Sequence, residues 1–169
     1  MIPIIISLFL LLSFNSCEPS AEDPSDKWLN NIEALLEHNA EKISISQGIG
    51  GTLVFTEGNC MPGAIDTTCR RYPVQRTVHI HECTHRSQAD HIQGGFHKDI
   101  ETAIIASVIT DREGFFEAEL PPGKYSIFVE EDNLLYANLW DSVGCIQPAS
   151  VNSGETTVRR INITHSAYY

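Results

Sequence analysis

Along residues 110–129 the chain alternates apolar and polar positions twice in succession. Phe116, Ala118 and Leu120 fall on one side of an extended chain, and Phe115, Glu117 and Glu119 on the other, which is the two-residue period of a half-buried strand. Pro121, Pro122 and Gly123 then interrupt the ladder, because proline lacks an amide donor and glycine accepts the positive φ of tight turns. A second alternation follows, with Tyr125, Ile127 and Val129 facing one way and Lys124, Ser126 and Phe128 the other. The pattern predicts a β-hairpin with a short, stiff connection.

The rest of the chain yields a similar alphabet. Trp28, Leu29, Ile32, Leu35 and Leu36 recur at helical spacing, which predicts one amphipathic helix over residues 27–42, capped by Ser25 or Asp26. Strands are expected at 49–56, 74–83, 134–140 and 146–151, with a last one ending near Thr164. Residues 100–109 are so apolar that they read as a central strand. Residues 57–72 and 86–98 carry Gly, Asn and Pro without a sustained period and read as loops. Short strands separated by Gly and Pro turns imply an all-β fold, an antiparallel sandwich of seven to eight strands behind one N-terminal helix.

The T-D-x-x-G-x-F segment from Thr110 to Phe116, followed by L-P-P-G-x-Y-x-I from Leu120 to Ile127, resembles the hairpin of carboxypeptidase-regulatory-like domains. These are prealbumin-like sandwiches related to Cna-B modules. With residues 58–62 upstream, the chain resembles Bacteroidota envelope lipoproteins built on that domain. The resemblance spans residues 48–169, implies a Greek-key sandwich, and supplies a fold rather than a catalytic motif.

Charge and targeting narrow the setting. Lys and Arg total 11 against 22 Asp and Glu, a net charge of −11, which repels phosphate backbones and argues against a nucleic-acid partner. An apolar run over residues 2–14 is shorter than a spanning helix needs and reads as a signal peptide, residues 1–16. Residues 14–17, Phe-Asn-Ser-Cys, resemble a bacterial lipobox, so Cys17 is expected to be lipidated and residues 17–26 to form a flexible acidic tether. The implied place is the cell envelope, as an outer-membrane lipoprotein facing the periplasm or the surface, held to the membrane by its lipid.

Four further cysteines, Cys60, Cys69, Cys83 and Cys145, favour two disulfides in an exported chain, with three connectivities open. The preferred pairing joins Cys60 to Cys69 and Cys83 to Cys145. Histidines carry the sharpest chemical signal. His79 and His81 project from one face of a strand, and His85 follows, with His91 and His97 in the next loop, an arrangement suited to zinc or copper. Residues 78–82 resemble the copper-binding strand of Cu/Zn superoxide dismutase but lack its glycine-rich metal loop. The competing reading has Val78 and Ile80 in the core and both histidines on the surface. No nucleophile elbow, metalloprotease helix or phosphate loop is present. Thr67 and Ser142, each after an aspartate, resemble Bacteroidota O-glycosylation acceptors. Asn162 formally fits an N-glycosylation acceptor, and Glu130, Glu131 and Asp132 read as a Ca²⁺ ligand run or a solvated turn. The sequence therefore predicts a non-enzymatic scaffolding or interaction module without cofactor, its partner an envelope protein or glycan; the alternative is a zinc- or copper-binding protein.

Overall fold

A computed structural model describes residues 24–63 and 68–169. Cys17, the signal segment, most of the tether and Thr67 lie outside the described residues. The chain begins with α1 (Pro24–Lys27) and α2 (Ile32–Glu41), followed by β1 (Gly48–Asn59), β2 (Arg70–Pro73) and β3 (Thr77–Glu82). Two short strands, β4 (Asp90–His91) and β5 (Phe96–Lys98), lead to β6 (Ile104–Ile109), β7 (Phe115–Glu119) and β8 (Gly123–Glu131). The last strands are β9 (Leu134–Tyr136), β10 (Pro148–Val151) and β11 (Thr156–Tyr168).

Four strands form the smaller sheet: β11 lies along one side of β1, while β2 and β7 share the other. Seven form the larger one, in the order β4-β5-β9-β8-β3-β6 with β10 also against β8. Every pairing is antiparallel except β1 with β11, whose strands run parallel from Gly48↔Thr156 onward. The inner faces of both sheets meet in one core of Ile49, Leu53, Phe116, Val78, Ile80, Ile127 and Ile163 with their neighbours. Period-2 patterning produces this directly, since one register places every second side chain inside.

The expected hairpin is instead an arch between sheets. β7 pairs with β1 and β8 pairs with β3, so Phe116 and Leu120 meet Tyr125 and Ile127 across the core. Alternation decides which side chains share a face, but not which strand takes the ladder. The Tyr125 hydroxyl donates to the Pro121 carbonyl at 2.7 Å and closes the arch. At its start, Asp111 Oδ1 accepts from the amides of Glu113 and Phe115, and Gly114 takes φ of 71°. The same Asp-x-x-Gly turn recurs at residues 141–144, where Asp141 Oδ1 accepts from Val143 and Cys145.

Four further expectations shift. The described residues hold eleven strands rather than seven to eight, in part because β4 and β5 pair across residues 90–98, which read as loop. The helix is broken at Asn30 (φ 56°), whose backbone donates to the Arg71 carbonyl at 2.8 Å and whose side chain accepts from the Arg71 amide. Tertiary bonds to the edge of β2 thus override helical spacing, and α2 starts at Ile32. Its apolar stripe is claimed by the sandwich: Trp28, Ile32 and Leu35 cover Val54 on the outer face of β1. The predicted central strand over residues 100–109 is shorter and lies at the sheet edge, with Ile104 and Ile109 56% and 69% exposed. β-branched residues suit a strand whether or not a neighbour covers it. The loop after β1 is also shorter than expected, because β1 runs on to Asn59 and β2 begins at Arg70.

Both disulfides are formed in the preferred pairing, Cys60 with Cys69 and Cys83 with Cys145. The first closes the loop after β1. The second ties the end of β3 to the segment before β10.

Candidate functional site

The outer face of the larger sheet carries the chemistry. In β8, Tyr125, Ile127 and Val129 point to the core, yet Ser126 and Phe128 on the opposite face are also fully buried. Residues 84–102 and 137–147 fold over that face, and Phe128 forms a third apolar cluster with Ala137 and Ile146, flanked by Ala89, Ile100 and Leu135. The Cys83–Cys145 disulfide and the bridge between His85 and Cys145 clasp these two segments together.

His79 and His81 leave β3 on this same outer face, as the alternation requires, but their surroundings differ. His79 is half-buried; its Nδ1 lies 2.8 Å from Ser107 Oγ and its Nε2 3.6 Å from Glu130 Oε2. His81 is 2% exposed and packs edge-on against Phe128. Its Nδ1 lies 3.0 Å from the Thr102 carbonyl. A carbonyl can only accept, so Nδ1 carries the proton and Nε2 is left as a buried lone pair without a partner. Burial lowers its pKa, against the opposing pull of the Thr102 carbonyl, so the ring is neutral near pH 7.

His85 turns away toward the loop of residues 141–144, with Nδ1 3.1 Å from the Val143 carbonyl. The predicted set of His79, His81 and His85 thus has a separate partner for each ring. Among the described residues, no three His, Cys, Asp or Glu side chains are grouped to hold a metal ion. The surface reading of both strand histidines fails for His81, which the loop roof buries.

A different pair comes together instead. His91 of β4 and His97 of β5 are directly opposite in their ladder, with ring centroids 5.1 Å apart. His97 is 6% exposed; its Nε2 donates to the Ala137 carbonyl at 3.0 Å, and its Nδ1 has no partner. Burial lowers its pKa most, the Ala137 bond opposes this, and the positive fields of His91 and Arg86 push it further down. These rings line a cleft of about 280 Å³ together with Arg86, Asn138, Trp140 and Ile146. The Arg86 guanidinium lies 4.7 Å from the centre of the Trp140 ring, a cation–π arrangement. Trp140 is 57% exposed, and Leu139 and Val143, close to it in sequence, are exposed as well.

Arg86, Asn138 and Trp140 carried no period or motif that marked them. The available signal was a tryptophan directly before the Asp-x-x-Gly turn and a cysteine, in a segment otherwise read as the end of a strand. Of the candidate acceptors for modification, Ser142 is exposed in that turn. Asn162 lies on β11, where its Oδ1 accepts from Thr56 Oγ1 at 2.8 Å. No family model matches the chain, and no curated protein or solved structure does either.

Proposed function

We propose that this protein is a non-enzymatic interaction module of the cell envelope, a Greek-key, prealbumin-like sandwich of the carboxypeptidase-regulatory-like kind, tethered through a lipid on Cys17. One observation supports the binding role above others. A two-sheet frame carries a loop-built cleft walled in part by the exposed Trp140, with Leu139 and Val143 exposed in the same segment, and exposed apolar side chains at a concavity with a few polar groups are a common form of recognition surface. The test is capture from intact envelopes with the native protein and a Leu139→Ser/Val143→Ser variant. A companion held by the first and lost by the second is the expected result; identical companions for both would sink the reading. An N-terminus other than acylated Cys17 in mass spectrometry of the native protein removes the anchor.

A zinc or copper role has one supporting observation. Metal-ligating imidazoles usually anchor their other nitrogen on a carbonyl or carboxylate, as His97 does on Ala137, with His91 alongside. Metal analysis of protein purified without a histidine tag decides it: stoichiometric metal lost in a His91→Ala variant establishes the role, and metal-free protein removes it.

A further inference from the structure

We infer that the cleft between residues 86–97 and 137–146 binds a sugar acid, a ring bearing both a carboxylate and hydroxyl groups. The inference rests on the binding-module reading and specifies its ligand. Three features of the cleft each select one part of such a molecule.

The first is Arg86. Its guanidinium is held against the Trp140 ring, and among the described residues no carboxylate lies within ion-pairing distance of it. By contrast Lys42, Arg76, Lys124 and Arg160 each have an acidic partner. No Asp or Glu lines the cleft, although the chain carries a net charge of −11. Among the described residues Arg71, Arg112 and Arg159 are equally without an acidic partner, and of these four Arg86 alone lines this cleft, where it is open to an external anion. Stacked on the indole, the planar guanidinium keeps its edge donors for a carboxylate, which it matches two bonds to two.

The second is His97. Its Nε2–H is committed to Ala137, so its buried Nδ1 offers a lone pair with no donor to meet it. A buried acceptor left unmade is destabilising. A carboxylate cannot relieve it, having no proton to give; a ligand hydroxyl can once the cleft wall shifts to admit it, since Nδ1 is closed to solvent here. Asn138 donates one N–H to Thr164 Oγ1 at 2.9 Å and keeps its second N–H and its Oδ1 for neighbouring hydroxyls.

The third is the apolar part of the wall, Trp140 and Ile146, which suits the C–H face of a saturated ring. The volume, about 280 Å³, is at the small end of ligand pockets and fits one ring unit rather than an extended chain.

The test uses the isotope-labelled full chain, titrated with D-glucuronate, D-glucose and benzoate while the Trp140 indole N–H resonance is followed. Glucuronate is expected to shift that resonance saturably, and to bind at least tenfold more weakly to an Arg86→Gln variant. Because Arg86 is exposed and makes no core contact, that variant should melt with the native protein, which separates lost binding from lost folding. Glucose lacks the carboxylate and benzoate lacks the hydroxyls, so each should bind at least tenfold more weakly than glucuronate. The inference is overturned if glucuronate leaves the resonance unmoved, if Arg86→Gln binds it equally, or if either single-feature ligand matches it. Should glucuronate fail while envelope capture still depends on Leu139 and Val143, the module reading stands and the sugar-acid ligand falls.

Discussion

Replacing Glu113 by Gln should release the helix from the sandwich. Glu113 sits in the turn before β7, and its carboxylate is the point where four side chains of the N-terminal helical segment converge. Trp28 Nε1 donates to it at 2.9 Å, Lys42 Nζ at 2.6 Å, His38 Nε2 lies 2.8 Å away and Lys27 Nζ 3.6 Å away. Its backbone carbonyl accepts from Asn39 Nδ2 at 2.8 Å. Lys42 is the largest of the causes that hold the Glu113 pKa at about 2, with burial opposing and Trp28 and His38 assisting. A carboxyl depressed to about 2 from 4.5 corresponds to roughly 3 kcal/mol at neutral pH. The side chain is 21% exposed, and screening by the water that reaches it trims this to about 2 kcal/mol. The folded pKa is below the unfolded one, so the stabilisation is fully present above about 4.5 and disappears as pH falls toward about 2. Urea unfolding at pH 7 should therefore show Glu113→Gln less stable by about 2 kcal/mol, a melting-point loss of about 4–8 °C. Near pH 3 the gap should have narrowed by more than half, and the two proteins should converge toward pH 2. Equal stability at pH 7, or a gap that persists unchanged at pH 3, would refute the reasoning.

The other perturbations concern the roof, the cross-links and the edge. Phe128→Ala empties the centre of the outer-face cluster, where Phe128 is fully buried, and should cost about 3–5 kcal/mol in urea unfolding. Opening Cys83–Cys145 as a double Ser variant should lower the melting point more than opening Cys60–Cys69. The first spans 62 residues and the second 9, and the chain-entropy model places the losses at about 4 and 2–3 kcal/mol. Gly114→Ala places a Cβ on the Leu53 carbonyl oxygen at a positive φ, so thermal melting should show a loss of about 2 kcal/mol or more. Ile105→Lys on the free edge of β6 should leave the melting point within about 0.5 kcal/mol and slow aggregation seen by light scattering, because a charge blocks edge-to-edge pairing.

The candidate site was legible in part. The segment over residues 84–98 stood out for its histidines and glycines, and it does form one side of the cleft. Its partner segment did not stand out, because Asn138 and Trp140 are remote in sequence and neither follows a period. His79 and His81 were placed on one face correctly. Their value as ligands depended on what lay above that face, and the strand pattern carries no information about a loop roof.

What the sequence by itself determined is local. Two-residue alternation made Phe116, Leu120, Ile127 and Val129 core residues, Asp111 and Gly114 set the turn before β7, and apolar spacing in residues 28–36 required a partner surface for Trp28, Ile32 and Leu35. Tertiary structure decided the rest: that β7 and β8 lie in opposite sheets, that Asn30 bonds to Arg71 and breaks the helix, that Glu113 anchors α2, and that His97 meets Arg86 and Trp140 in one cleft. The physical reason is that a strand's own residues specify its faces, through the geometry of the extended chain. Its neighbours are specified only when distant segments compete for its edges and its exposed side, and that competition is settled by the energy of the whole assembled core.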